Sequence, residues 1–342
     1  MLVREHIPLK EFTTMRVGGP ARFFSAVRND NDLVRAVSFA KQKHVPIFIL
    51  GSGSNIVVSD EGIDALVLKM ENRGITFRDS RDGRVHAHVS AGENWDSFVE
   101  EVISRRLYGI ENLSLIPGTA GATPIQNIGA YGQEISSTIV EVHAFDQEKM
   151  RFVILGKDEC CFRYRESIFK TEEGKQFIVA RIVLQLLEKG ELVTEYKDVR
   201  DYFNHKNDIT PSLETMRQAV IEIRTRKLPD VGKYGTVGSF FKNPLISKDH
   251  YVALVERYPN IPGYESGGAV KVPLAWIIEH VCGLKGVTKG GVGVYEKHSL
   301  VLVNVGNGTA KDVRTFAEEI RERVKTKTEI LPEYEISFVG EF

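Results

Sequence analysis

The sequence predicts an α+β fold, on the evidence of how helix and strand patterns are distributed along its 342 residues. The first third mixes amphipathic-helix and strand patterns, strand patterns dominate the middle, and the last third mixes the two again. Apolar residues make up 42% of the chain and charged residues 27%, as is ordinary for a globular protein. The length allows more than one hydrophobic core.

The first third begins with an amphipathic helix at 30–44, where apolar side chains recur at helical spacing after an acidic start. Residues 45–60, VPIFILGSGSNIVVSD, predict an apolar strand, a Gly-Ser turn and a second strand. A further strand is predicted at 64–70. Residues 85–89 alternate as a strand, and a helix follows from about Asn94 to Arg106.

The middle and last thirds continue with longer elements. The segment 213–230 predicts a helix that ends before Pro229, because proline cannot continue a helix. A second helix at 309–328 opens with Thr309 and Asp312, which suit a helix N-terminus. The remaining predicted elements are strands at 139–146, 150–155, 176–187, 299–306 and 332–340 and helices at 250–259 and 272–282.

Charge and cysteine content exclude several classes of protein. The 45 Lys+Arg and 46 Asp+Glu give a net charge of −1, which favours neither a nucleic-acid partner nor a membrane partner. Cys160 and Cys161 are adjacent and Cys282 is remote, so they predict no disulfide and no metal-binding spacing. The nine histidines also lack metal-ligand spacing, so we expect no metal. The N-terminal segment has no apolar stretch, and we expect a cytoplasmic protein.

Two glycine-rich segments are candidates for cofactor binding. LGSGSN, residues 50–55, is a turn whose backbone amides could bind phosphate oxygens, although an ordinary hairpin turn is the alternative. Ile56 stands where the Rossmann fingerprint needs glycine, and a strand follows instead of a helix. IPGTAGATPIQNIGAYG, residues 116–132, is a long uncharged loop of small residues, for which a structural Ω-loop is the alternative. Together they favour a dinucleotide held by loops.

Two pairs of charged side chains suggest an anion site. Arg163 and Arg165 are two residues apart, which predicts one shared face if the segment is extended. Glu333 and Glu335 are predicted on one face of the terminal strand, where a buried glutamate would need a partner such as Arg165. Two exposed arginines are the alternative interpretation.

Ser239 lies in YGTVGSFFKNP, residues 234–244, between Gly238 and two phenylalanines. Glycine permits a positive φ there or the close approach of a ligand. Ser239 is therefore either a turn residue or a proton donor. It has no G-x-S-x-G context, which argues against a hydrolase nucleophile.

Eight segments resemble one known family in its own order and over essentially the whole chain. They are TTMRVGGPARFF (13–24), ILGSGSN (49–55), AGENWDSFV (91–99), ENLSLIPGTAGATPIQNIGAYGQE (111–134), CCFRYRESIFK (160–170), RTRKLPD (224–230), GSFFKNP (238–244) and EISFVG (335–340). The family is that of the UDP-N-acetylenolpyruvoylglucosamine reductases.

The resemblance implies the vanillyl-alcohol-oxidase (PCMH) type of FAD-binding fold. It implies one FAD-binding subdomain at 1–72, completed by the strand at 333–342, and a second at 73–228. A substrate-binding domain is implied at 229–332. It also implies non-covalent FAD, with contacts from Gly51, Ser52, Gly53, Ser54, Asn55, Gly118, Thr119, Gly121, Ala122, Thr123 and Ile128.

The implied reaction is the NADPH-dependent reduction of UDP-N-acetylglucosamine-enolpyruvate to UDP-N-acetylmuramate in peptidoglycan precursor synthesis. The flavin passes hydride to C3, and by the family's pattern Ser239 gives a proton to C2. Arg165 and Glu335 are implied partners of the substrate carboxylate, where Glu335 must be protonated or paired with Arg165.

The uridine diphosphate contacts implied are Tyr196, Lys227 and Asn243, with Tyr131 near the pocket. Tyr196 marks the subgroup in which a tyrosine loop closes over the nucleotide, although Glu195 alters its spacing. A further polar contact falls at Lys297 or His298, where the sequence departs from the pattern.

Two other functions remain open. One is a flavin oxidase or dehydrogenase of the same fold acting on a carbohydrate or hydroxy acid, but neither glycine-rich segment holds the His or Cys that often tethers such a flavin. The other is a cofactor-free protein that binds nucleotide sugars. The moderately charged composition and the family resemblance favour a monomer.

Overall fold

The computed structural model describes residues 1–80, 82–206 and 209–342. The chain forms two compact units, each assembled from three segments. The predicted three-part division at residues 72, 228 and 332 stays a prediction. The first unit contains Met1–His6, Arg22–Ser52 and Asp64–Thr225, and the second contains Ile7–Ala21, Gly53–Ile63 and Arg226–Phe342.

Helices and strands alternate along the described residues. The helices are α1 Asp30–Lys43, α2 Trp95–Ser104, α3 Lys197–His205, α4 Leu213–Lys227, α5 Lys248–Arg257, α6 Leu274–Trp276 and α7 Ala310–Thr328. The strands are β1 Arg4–Pro8, β2 Pro20–Val27, β3 Ile47–Leu50, β4 Ile56–Val58, β5 Ile63–Met70, β6 Ile75–Asp79, β7 Arg84–Ser90, β8 Gly129–Ala130, β9 Gln133–Glu134, β10 Ile139–Asp146, β11 Arg151–Gly156, β12 Phe177–Leu187, β13 Gly235–Ser239, β14 Leu245–Ile246, β15 Tyr264–Ser266, β16 Ala269–Lys271, β17 Thr288–Lys289, β18 Val292–Val294, β19 Val301–Asn304 and β20 Ser337–Val339.

The first unit is built mainly on two sheets. A four-stranded sheet has the order β1-β2-β5-β3, with β3 and β5 parallel. A five-stranded antiparallel sheet has the order β11-β10-β12-β7-β6. Helix α1 packs Leu33 and Val37 with Leu66 and Leu68 of β5. In a second core, Trp95 and Phe98 of α2 are fully buried with residues of β7, β10 and β12.

Helix α1 confirms the prediction at 30–44 and shows what sets its ends. The side chain of Asn29 accepts a hydrogen bond from Asp32 N at 3.0 Å, which satisfies one of the free N–H groups of the first turn. His44 ends the helix in the left-handed conformation at φ 53°. Helices α2 and α4 likewise confirm their predictions. The sequence did not predict α3, a polar helix in which Val199 is buried.

The second unit contains three smaller sheets, β13-β19-β18-β17, β14-β16-β15 and the parallel pair β20-β4. Helix α7 supplies Val313, Phe316 and Ile320 to its core. The helix predicted at 272–282 is α6 continued by a π-helical turn at Ile277–Val281. Among the described residues, no helix combines the length and apolar composition needed to cross a bilayer.

Two strand predictions need correction. The segment around GSGSN is strand–turn–strand as predicted, but it is not a hairpin, because β3 pairs with β5 and β4 pairs with β20. The terminal strand predicted at 332–340 is only Ser337–Val339. Glu333 and Glu335 therefore lie before this strand and do not share a face of it.

Helix α7 begins with a capping box, as its first residues predicted. The Thr309 hydroxyl accepts from Asp312 N at 3.1 Å, and the Asp312 carboxylate accepts from Thr309 N at 2.9 Å. The bond from the Thr309 backbone N–H is the main reason that the pKa of Asp312 is lowered. Asp60 adds a second carboxylate, which accepts from Ala310 N at 2.9 Å and Lys311 N at 3.0 Å.

We predict that Thr309→Ala lowers the free energy of unfolding by about 1 kcal/mol, because the N–H of Asp312 loses its acceptor. Urea unfolding followed by circular dichroism measures the change. Thr326→Ala is the matched control, since its exposed hydroxyl donates to Glu322 O within the same helix. Equal destabilisation by the two variants would contradict the capping role.

Candidate active site

Gly51, at the start of the GSGSN turn, lies against the second glycine-rich segment. A Cβ at Gly51 would be 3.0 Å from Thr119 Oγ1 and 3.7 Å from the Cβ of Ala122. The Gly51 carbonyl accepts a hydrogen bond from Lys69 Nζ. The first unit thus brings together residues from the two segments that the sequence predicted to bind FAD.

The small residues at 118–123 are explained by close main-chain contacts. Gly121 N donates to Ala91 O at 2.9 Å, and a Cβ at Gly121 would be only 2.4 Å from the Cβ of Ala91. Trp95 N donates to Gly118 O at 3.1 Å. The hydroxyl of Thr123 donates to Ala120 O at 2.7 Å, which closes the short 3₁₀ turn at Ala120–Ala122.

Ile128 continues the same loop with a mostly buried side chain. Its N–H donates to Thr123 O at 3.1 Å, and its carbonyl accepts from Ile135 N at 2.9 Å. Ala122 is exposed, so it lies at the surface of the first unit.

Arg165 lies in a tight turn, which corrects the prediction of an extended segment. Arg163 N donates to Glu166 O at 3.0 Å and Glu166 N to Arg163 O at 3.1 Å, so Arg163 and Arg165 do not share one face of a strand. Arg165 has φ 57°. Its Nη2 donates to Gly129 O at 2.8 Å. Gly129 belongs to the second glycine-rich segment, so this segment orients the guanidinium of Arg165.

Sequence reasoning missed the polar residues that hold this turn in place. The Asn127 amide donates to Arg163 O at 3.0 Å and to the carboxylate of Glu134 at 2.9 Å. The hydroxyl of Ser167 donates to Ile125 O at 2.6 Å. The signal in the sequence was Asn127, a hydrogen-bonding side chain within an uncharged loop.

Tyr131 and Tyr196, both predicted to contact the uridine nucleotide, touch each other. Their ring centroids are 5.4 Å apart and the rings are nearly perpendicular at 85°. Tyr196 is 47% exposed, and its carbonyl accepts from Val199 N and Arg200 N at 2.9 Å at the start of α3. Burial raises the pKa of Tyr131 to about 12, although a hydrogen bond with Arg224 opposes the shift.

In the second unit, Ser239 ends strand β13 just after a bulge. The pairing of β13 with β19 shifts register between Thr236 and Ser239. Gly238 has φ 73°, and a Cβ built there would have no atom within 4 Å. The bulge interrupts the regular pleat just before Ser239, and the space next to Gly238 is open.

Glu335 pairs through the main chain with Phe240, the residue that follows Ser239. Glu335 N donates to Phe240 O at 3.0 Å, and Lys242 N donates to Glu333 O at 2.9 Å. The Glu335 carbonyl accepts from the side chain of Asn55 at 3.1 Å. Three predicted site residues therefore meet within this unit.

Glu333 does not belong to this group by its side chain. Its carboxylate is 3.2 Å from Lys242 Nζ, and the side chain is 74% exposed. It forms a surface ion pair. The prediction that Glu333 and Glu335 share a face of a terminal strand at 332–340 is wrong, because that strand begins only at Ser337.

The remaining predicted contacts lie at main-chain turns and element ends. Gly53 has φ 67°, and its carbonyl accepts from Thr14 N at 3.1 Å. Ser52 and Ser54 are half-buried. Asn243 accepts from Leu274 N at 3.0 Å, and Lys227 is the last residue of α4.

The loop before β19 holds the last two predicted positions. Lys297 is exposed, and His298 Nδ1 accepts from Leu300 N at 3.3 Å. Among the described residues, no group of three or more His, Cys, Asp or Glu side chains could hold a metal ion.

Comparison with known proteins decides the family. Residues 21–149 match an FAD binding domain, and residues 230–339 match the C-terminal domain of UDP-N-acetylenolpyruvoylglucosamine reductase. The reductase of Ralstonia nicotianae is 38% identical over 95% of this chain and 96% of its own. The chain belongs to the UDP-N-acetylenolpyruvoylglucosamine reductase family. That of Flavobacterium johnsoniae is 37% identical over 99% of this chain and 100% of its own.

A crystal structure supports the same family assignment. The reductase from Thermus caldophilus superposes with a TM-score of 0.69 at 25% identity, covering 99% of this chain and 100% of that one. The predicted fold class, an α+β PCMH-type FAD-binding fold with a C-terminal α+β domain, is confirmed. The protein is an FAD-containing oxidoreductase of this family.

The residues present fit FAD. A Cβ at Gly51 would lie only 3.0 Å from Thr119 Oγ1, and one at Gly121 would overlap Ala91, so the close packing at both positions favours glycine. The small residues 118–123 offer amides and hydroxyls of the kind that bind a dinucleotide. We expect these residues to hold the cofactor.

We predict that Gly121→Ala yields protein with little bound FAD and destabilises the fold by about 1–3 kcal/mol, because the new methyl would overlap Ala91. The ratio of flavin to protein absorbance and the thermal midpoint measure both effects. Gly156→Ala is the control, since a Cβ there meets its nearest atom at an ordinary 3.5 Å. Full FAD content in the Gly121 variant would disprove the close approach.

Proposed function

We propose that this protein reduces UDP-N-acetylglucosamine-enolpyruvate to UDP-N-acetylmuramate with NADPH, in peptidoglycan precursor synthesis. The observation that carries the proposal is the main-chain pairing of Glu335 with Phe240, the residue that follows Ser239. In a flavin-dependent reductase, this pairing brings the segment of Ser239, the proposed proton donor, together with the segment of Glu335. The names of the full-length relatives support the substrate.

Bound FAD supplies hydride transfer from NADPH to C3 of the enolpyruvyl group. Ser239 then protonates C2 from its hydroxyl. A serine is a weak acid in water, but the electron-rich C2 is a strong base, and a site that excludes water favours direct transfer. The bulge at Gly238 supports this role, since it leaves space for a substrate atom beside Ser239.

Arg165 and Glu335 stabilise the negative charge that develops on the substrate carboxylate during hydride transfer. The planar guanidinium of Arg165 suits a two-point contact with a carboxylate. One of its nitrogens already donates to Gly129 O, so the group is oriented before substrate binds. The main-chain bond at Phe240 fixes Glu335 in the same way.

Tyr131, Tyr196, Lys227 and Asn243 bind the uridine diphosphate. The edge-to-face contact of the two tyrosines supports the membership of the chain in the subgroup with a closing tyrosine loop. The Oδ1 of Asn243 is bonded to Leu274 N, so its amide N–H₂ is the group offered to the phosphate.

The oligomeric state, the location and the domain division of the protein are part of the same proposal. The protein works as a monomer in the cytoplasm, with FAD-binding subdomains at 1–72 and 73–228 and a substrate-binding domain at 229–332. The net charge of −1 and the cysteine pattern support this view.

We predict that anaerobic NADPH reduces the flavin of both the wild type and Ser239→Ala at similar rates. UDP-N-acetylglucosamine-enolpyruvate then reoxidises the wild type, but the variant about 10²- to 10⁴-fold more slowly, because the proton donor is missing. Stopped-flow absorbance at the flavin band measures both steps. NADH in place of NADPH tests the choice of reductant.

Ser266→Ala, an exposed serine of the same unit, is the control and should behave as the wild type. If Ser239→Ala slowed both half-reactions, the result would contradict the role of Ser239 as proton donor. A reduced wild type that only oxygen reoxidises would indicate an oxidase of the same fold.

A further inference from the structure

Lys69 is a cation placed at the start of the GSGSN turn. It lies on β5 of the first unit, half-buried, and its Nζ donates to the carbonyl of Gly51. Burial lowers the pKa of this ammonium group. A carbonyl is a dipole and not a counter-ion, so the positive charge is only partly compensated by this contact.

The acidic group that acts on Lys69 does not complete the compensation. The charge of Glu71 raises the pKa of Lys69, but burial lowers it more, and the Glu71 carboxylate is itself 3.3 Å from Arg28. In residues 1–80, 82–206 and 209–342, no carboxylate lies within 4 Å of Lys69 Nζ. Withdrawing a charge from water without an ionic partner costs free energy, so such a group is usually retained for a ligand.

The surroundings of Gly51 indicate the ligand. Thr119 Oγ1 and the Cβ of Ala122 are the atoms that a Cβ at Gly51 would meet first, and both belong to the loop that the FAD-binding family match includes. FAD carries a diphosphate with two negative charges. A lysine ammonium is a compact charge that binds phosphate oxygens well.

We propose that Lys69 is a further FAD-binding residue, whose ammonium group supplies the counter-charge for the diphosphate. Its bond to Gly51 O also fixes the first peptide of the turn. The charge makes the cofactor site selective for FAD over a flavin without phosphates.

Three substitutions separate the charge from the hydrogen bond. Lys69→Arg keeps both, Lys69→Gln keeps a donor without charge, and Lys69→Met removes both. The full chain is freed of flavin, and the dissociation constants of FAD and riboflavin are measured by flavin fluorescence at low and high salt. Riboflavin lacks phosphates and also reports that each variant is folded.

We expect Lys69→Gln and Lys69→Met to weaken FAD binding about 10- to 100-fold at low salt, as the loss of one charge-assisted contact predicts. The loss should shrink at high salt because ions screen the charge. Lys69→Arg should stay within about threefold of the wild type, and riboflavin binding should be the same in every variant. Lys189→Met, an exposed lysine of the same unit, is the control.

Three results would overturn the proposal. FAD binding by Lys69→Gln equal to the wild type would show that the residue only holds the Gly51 carbonyl. Equal losses for FAD and riboflavin would indicate general damage to the loops. Unchanged FAD binding in all variants would leave the charge without a role. None of these outcomes bears on the substrate of the enzyme, which the reoxidation experiment tests separately.

Discussion

The main-chain pairing between residues 240–242 and 333–335 is the constraint on which the catalytic part of the second unit depends. Two hydrogen bonds, Glu335 N to Phe240 O and Lys242 N to Glu333 O, fix the register of these short segments. The rings of Phe241 and Tyr334 stack between them at 5.3 Å. A shift of one residue would turn the side chain of Glu335 to the opposite face of the pairing.

Helix α7 holds this pairing from the other side. Arg321 donates to Pro332 O at 2.9 Å, and its guanidinium lies 4.7 Å from the ring centre of Tyr334. Arg314 lies 4.3 Å from the ring centre of Phe338. These contacts combine hydrogen bonding with cation–π attraction, so the segment that carries Glu335 is attached to a long, capped helix. Stability of the helix and geometry of the site are therefore linked.

In the first unit, close packing at glycines and side-chain hydrogen bonds fix the predicted site residues. A Cβ at Gly121 would overlap Ala91 and one at Gly51 would lie 3.0 Å from the Thr119 hydroxyl, so glycine at both positions permits this close packing. Polar side chains then fix the turn that carries Arg165, through Asn127 and Ser167. Close packing sets the surface for the cofactor, and side-chain hydrogen bonds set the direction of the guanidinium.

Local patterns in the sequence predicted the elements that local physics determines. Helix α1 follows from apolar spacing and an acidic start, helix α7 follows from Thr309 and Asp312 at its N-terminus, and the strands follow from apolar or alternating runs. The family and its FAD-binding loops followed from motifs. Contacts between residues distant in the chain could not be predicted: the turn at Arg165 depends on the loop around Gly129, and Tyr131 meets Tyr196 only in the fold. Helix α3 was not predicted because only Val199 in it is fully buried, so the segment lacks a clear apolar pattern.

The most direct test of this account asks whether Ser239 and Glu335 act in one step, as their pairing implies. The rate at which UDP-N-acetylglucosamine-enolpyruvate reoxidises the reduced flavin is measured for Ser239→Ala, Glu335→Gln and the double variant. Residues that act as a unit give non-additive effects, so the double variant should be about as slow as the slower single variant. Slowing factors that multiply in the double variant would show two independent contributions and would contradict the account.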